Sequence, residues 1–165
     1  MPSPLFSFTV VLRDPKPPSV NAMYSTGRGG TRFLTKEGKA FKDALKSAVS
    51  RQLSSLNWKE AVDEVYLRRG WVHLDIAVYI ERLYNGSWSP GSRTKPTTGS
   101  PKGNLRSPYQ RVDAGSYDKI IQDAVVLGTG IDDSAHLNYA VSKAEDPDDP
   151  RIEVAYYVYR GDGGY

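Results

Sequence analysis

The chain has no cysteine among its 165 residues. Disulfides, thiolate zinc sites and a cysteine nucleophile are excluded outright. At this length one domain buries roughly 70% of its unfolded surface, so a core without covalent or metal staples is expected. A reducing compartment is compatible, and the cytoplasm is the expected location. Histidine is nearly absent too. The two present, His73 and His136, do not have metalloprotease spacing, which gives no support to a histidine metal site or a Ser-His-Asp triad. No apolar run reaches the length of a membrane-spanning helix, so no membrane partner is expected. The run Pro4 to Leu12 has no basic residue ahead of it and ends in Arg13-Asp14, which reads as a strand and not a signal peptide.

Acids are missing from one long stretch. Between Asn85 and Val112 stand Arg93, Lys95, Lys102, Arg106 and Arg111 with no carboxylate, among prolines, glycines, Trp88 and Tyr109. Such a segment suits a mobile positive loop following a phosphate backbone, although basic loops also serve only as solvated surface. The loop from Pro15 to Phe33 is basic as well, with Lys16, Arg28 and Arg32 around the glycine-rich STGRGG. No strand-to-helix junction or Gly-Lys-Ser/Thr follows these glycines, so a phosphate-binding loop is not indicated.

The periodicity predicts a strand over Leu5–Arg13. It then predicts a helix over about Lys36–Leu56, capped by Thr35, with Phe41, Leu45, Val49 and Leu53 on its buried stripe. Lys39, Lys42 and Lys46 fall off that stripe, on a face that reads as solvated. Trp71–Leu83 alternates as a half-buried strand, with Val65–Leu67 pairing ahead of it. A second helix over Ser116–Leu127 buries Tyr117, Ile120, Ile121 and Ala124, with Ser116 as its cap, and Gly128–Gly130 ends it. His136–Lys143 and Arg151–Arg160 read as strands. Between them lies an acidic turn, Glu145–Pro150, that reads as solvation; after them a flexible glycine-rich tail follows. This order predicts α+β, a single domain over residues 1–160 with a mixed sheet and two main helices packed on it.

The chemistry concentrates between Val112 and His136. Asp113, Asp118, Asp123, Asp132 and Asp133 stand there beside a single lysine, Lys119. Carboxylates are hard donors that hold Mg²⁺ while leaving room for water and phosphate oxygens, and a nearby lysine offsets charge on a phosphate. Each acid also has a plain structural use: Asp113 near a helix start, Asp132-Asp133 in a solvated turn. Their combination is what points to a site, because a helix packed beside the strand it feeds can bring both ends together. Lys119 and Asp123, four apart, share one helix face.

Several of these segments together resemble the RusA-type Holliday junction resolvases. The resemblance lies in PPSVNAMY (Pro17–Tyr24), RFLTKEGKAFKDAL at the first helix, the series Asp113, Lys119, Asp123, Ala124, the run IDDSAH (Ile131–His136), and Lys143. It implies a homodimeric, Mg²⁺-dependent endonuclease, with Mn²⁺ able to substitute, that binds branched DNA and cuts four-way junctions symmetrically to leave 5′-phosphates. Carried across, Asp113 and Asp133 match catalytic acids, Asp132 neighbours the latter, Lys119 matches the assisting lysine and Asp123 the helix acid. The chain departs from the family at Gly115, where a second acid is usual, and at Ser116, where asparagine is. Asp118 or Asp123 could supply the missing ligand. Arg28, Arg32, Arg93, Lys95, Lys102, Arg106, Arg111 and Lys143 are the expected DNA-binding residues. The alternatives are a DNA-binding module without cleavage, and a partner-binding protein using its aromatic C-terminal strand.

Overall fold

The computed structural model describes residues 3–18, 20–83, 86, 88–99, 102, 104–108 and 114–161, without the side chains of residues 20, 21 and 114–116. Strand β1 (Phe6–Leu12) lies at one edge of a four-stranded sheet, antiparallel to β6 (Arg151–Tyr159), which pairs antiparallel with β4 (Trp71–Ile80); β5 (His136–Glu145) runs parallel to β4 at the other edge. The order β1-β6-β4-β5 makes the sheet mixed. Strict alternation drives the layering. Phe8, Val10 and Leu12, then Val72, Leu74, Ile76 and Val78, then Ile152, Val154, Tyr156 and Val158 are all buried, because successive strand side chains point to opposite faces.

That apolar face is covered by helices. Helix α2 (Lys36–Leu53) follows a single turn, α1 (Val20–Met23), and a small hairpin of β2 (Tyr24–Thr26) and β3 (Arg32–Leu34). The Thr35 hydroxyl accepts from the Gly38 amide at 3.1 Å, satisfying one of the free donors of the first turn. Phe41, Leu45 and Val49 are fully buried at the expected spacing. Helix α4 (Ala114–Thr129) packs directly on α2. The two approach so closely that a Cβ on Gly128 would stand 2.7 Å from Val49 Cγ1. Gly128 is thus a packing residue inside the helix, and Gly130, at φ 72°, makes the reversal after it.

The α+β class and mixed sheet are as read from sequence, with three differences. Val65–Leu67 is not a strand: it belongs to a third substantial helix, α3 (Trp58–Arg68), which buries Ala61, Glu64 and Val65. Its signal, Trp58, Ala61, Val62 and Val65, is helical in period but too short to stand out beside the strand that follows. Helix α4 begins at Ala114, so Ser116 lies within its first turn and is not its cap. The acidic turn is not merely solvated. Arg151, only 15% exposed, reaches Asp146 at 2.5 Å and Glu153 at 2.6 Å, and Arg13 bonds Asp149 at 2.9 Å. The expected tail falls mostly outside the described residues.

Candidate functional site

Helix α4 positions the chemistry. Its stripe of Tyr117, Ile120, Ile121, Ala124 and Val125 is buried against the sheet and α2, which turns Lys119 and Asp123 towards the edge of the α2–α4 seam. Lys119 Nζ lies 2.9 Å from Asp123 Oδ1 and 3.8 Å from Asp133 Oδ2. From α2, Lys42 Nζ reaches the other oxygen of Asp123 at 3.1 Å, and its side chain is only 19% exposed. Lys42 is therefore not on a solvated face as its sequence position suggests. The helix stripe does not reveal it, because the stripe ignores what a neighbouring helix presents. Lys42, Lys119, Asp123, Asp132 and Asp133, with Val126 and Leu127, line an open groove of about 350 Å³.

The acids differ in how far their oxygens are already engaged. Burial pushes the pKa of Asp123 up, but hydrogen bonds and charge from Lys119 and Lys42 outweigh it and hold the carboxyl below the usual carboxylate range. Lys119 is raised, chiefly by its hydrogen bond to Asp123 and then by that charge, with Asp133 and Asp118 adding to it. It remains an ammonium at any physiological pH. Asp118 turns elsewhere: it accepts from Gln122 Nε2 at 2.6 Å and from the Tyr139 hydroxyl at 2.7 Å, across to β5. Asp132 caps a short 3₁₀ turn (Asp133–Ala135), accepting from the Ser134 amide at 3.0 Å, and Ser134 lowers its pKa. Asp133 makes only the longer approach to Lys119 among the contacts described for its side chain. Burial lowers the pKa of His136, against the pull of Asp133 and Asp132.

Lys119, Asp123, Asp132 and Asp133 are brought together. Asp113 and Arg111 lie outside the described residues, as does the side chain of Gly115's helix neighbour Ser116. Among the described residues no group of three or more His, Cys, Asp or Glu could hold a metal ion. Asp118 and Asp123, the two candidates to replace the missing acid, are taken up by a tyrosine and glutamine in one case and by two lysines in the other.

The basic residues fall into separate regions. Arg28 lies on an exposed turn and Arg32 on β3, its guanidinium 4.7 Å from the centroid of Tyr24. Burial and the charge of Asp123 raise the Tyr24 phenol, with Arg32 and Lys119 opposing. The described residues of the acid-free segment form a short ribbon. Arg93 bridges Leu105 in antiparallel fashion, Thr94 and Arg106 amides bond across to Asn104 and Ser92, and the Trp88 indole donates to the Arg106 carbonyl at 2.9 Å. Lys95, Lys102 and Arg106 are exposed on it. Lys143 lies on β5 in register with Val78, on the same strand face as Tyr139. No helix among the described residues is long and apolar enough to cross a membrane. In comparison with known proteins, the chain matches no family model and no curated protein.

Proposed function

We propose that this protein is a Mg²⁺-dependent endonuclease of the RusA-like kind, which resolves four-way DNA junctions as a homodimer in the cytoplasm. The observation that carries this reading is the meeting of Lys119 with Asp123 and Asp133 in one open groove, between residues that also carry the resemblance. Mg²⁺ is commonly held by one or two protein carboxylates and completed by water and phosphate oxygens. Asp133, with Asp132 beside it in the groove, is a donor pair of that kind, so the residues fit the ion. When bound, the ion supplies Lewis-acid polarisation of the phosphate and a more acidic water.

The chain's own residues then have distinct duties. Asp133 offers its carboxylate to the groove. Lys119, an ammonium paired with Asp123, offsets charge on the phosphate oxygens and cannot serve as a general base. Asp123 acts as counter-ion to Lys119 and Lys42 and is not a metal ligand, since a metal there must displace two ammonium groups. Arg32 on the β2–β3 hairpin, and Arg93, Lys95, Lys102 and Arg106 on the basic ribbon, follow the DNA backbone.

A second reading is favoured by a specific observation. Gly115 stands where the resemblance places a second acid, which suits a DNA-binding protein of the same kind that does not cut. Incubation of a synthetic four-way junction and its matched duplex with Mg²⁺ or Mn²⁺ separates the two. Symmetric nicks with 5′-phosphates on the junction are expected. Salt-sensitive binding without nicks supports the second reading, and absence of any DNA binding defeats both.

A further inference from the structure

We infer that helix α3 braces the acidic corner and that Tyr66 is a positioning residue for Asp132 and Asp133, a role that rests on the nuclease reading above. The corner is the short connection from the end of α4 to the 3₁₀ turn. Its backbone turns sharply at Gly130, whose amide donates back to Val126 at 2.8 Å, and the fully buried Ile131 anchors it from below. The Thr129 hydroxyl donates to the Val125 carbonyl at 2.9 Å and accepts from the Ile131 amide at 3.2 Å.

Helix α3 holds the same few residues from the other side. The Trp58 indole donates to the Thr129 carbonyl at 2.7 Å. Further along the helix, the Tyr66 hydroxyl accepts from the Asp132 amide at 2.8 Å and lies 3.5 Å from the Gly130 carbonyl. The two side chains rest on different foundations. Trp58 is clamped by Phe8 and Tyr156, ring centroids 5.7 and 5.9 Å away, so its indole serves the core as well. Tyr66 is 54% exposed; its hydroxyl has no core to fill, and its hydrogen bonds are with the corner. Because the Asp132 carboxylate in turn caps the turn that carries Asp133, fixing the Asp132 amide fixes the direction of both carboxylates.

Tyr66→Phe removes the hydroxyl and leaves the ring. Loss of one ordinary hydrogen bond at a partly exposed backbone should raise the Mg²⁺ concentration for half-maximal junction cleavage roughly three- to tenfold. Full rate returns at saturating Mg²⁺, and junction affinity measured in Ca²⁺ stays that of wild type. In metal-free protein, the Asp132 amide should exchange its hydrogen faster in the variant by a similar factor. A Tyr66→Phe protein with a lowered thermal midpoint but unchanged Mg²⁺ dependence and unchanged Asp132 exchange overturns the inference. If wild type itself does not cut, the nuclease reading fails separately. The metal-free exchange then decides the brace alone: faster exchange at Asp132 upholds it and unchanged exchange removes it.

Discussion

Asp123→Asn is the substitution on which the two uses of this acid divide. At 3.1 Å, the attraction between Lys42 and Asp123 amounts to about 5 kcal/mol in a medium of effective dielectric about 20, before the loss of hydration is subtracted. Hydrogen bonds to charged groups retain about 1.5–3 kcal/mol net. Lys119 adds little, because it is 68% exposed and such pairs are worth only a few tenths of a kcal/mol. Asparagine keeps one acceptor oxygen, so the expected loss is about 1–2 kcal/mol, or about 2–8 °C in thermal midpoint for a domain of this size. The sign with pH follows from the depressed pKa of Asp123. A carboxyl lowered in the folded state stabilises above its unfolded pKa of about 4 and loses that contribution as pH falls through the folded value. The deficit of Asp123→Asn seen at pH 7 should therefore shrink in acid. Urea unfolding of the Asp123→Asn, Lys42→Met and double variants, at pH 7 and near pH 3, measures both effects. Additive losses with no coupling between the two sites, or an unchanged stability accompanied by a higher Mg²⁺ requirement, would refute the counter-ion role and make Asp123 a ligand.

Three other tests bear on the remaining links. Gly128→Ala places a methyl 2.7 Å from Val49 Cγ1 and should cost about 1–3 kcal/mol by calorimetry, with Val49→Ala in the same chain restoring part of it; a neutral Gly128→Ala contradicts the close helix crossing. Neutralising Arg93, Lys95 and Lys102 together should flatten the salt dependence of junction binding by up to about three units, one for each phosphate no longer neutralised, and a wild-type slope in the triple variant removes these residues from the interface. Gly115→Asp, provided it folds, should raise cleavage at low Mg²⁺, since Asp118 and Asp123 are both engaged by other side chains; a neutral or harmful effect points to a ligand already there.

What was legible in the sequence was whatever repeats. Period-two burial in Trp71–Ile80 and Arg151–Tyr159, and the four-residue spacing of Phe41, Leu45 and Val49, announce their elements because burial of one face dictates them. Thr35 was legible as a cap, since a short oxygen-bearing side chain serves best there. Helix α3 was not, because eleven residues with few apolar positions differ little in pattern from a loop feeding a strand. The site was half legible. The spacing of Lys119 and Asp123 follows from the helix repeat, and their nearness to Asp133 from the helix–strand junction. The partners supplied by other elements, Lys42 to Asp123, Tyr139 to Asp118 and Tyr66 to the Asp132 amide, depend on how helices cross and on which register β5 adopts, and no local pattern encodes those.

Cleavage of a synthetic four-way junction by wild type, Asp113→Asn and Asp133→Asn, with binding measured on the same samples, decides whether this groove is a nuclease site. Wild type should cut in Mg²⁺ or Mn²⁺. Each variant should lose cleavage while binding the junction as tightly or more tightly, since a negative charge beside the phosphate has been removed. A wild type that binds but never cuts, or an Asp133→Asn protein that cuts as wild type does, contradicts the assignment.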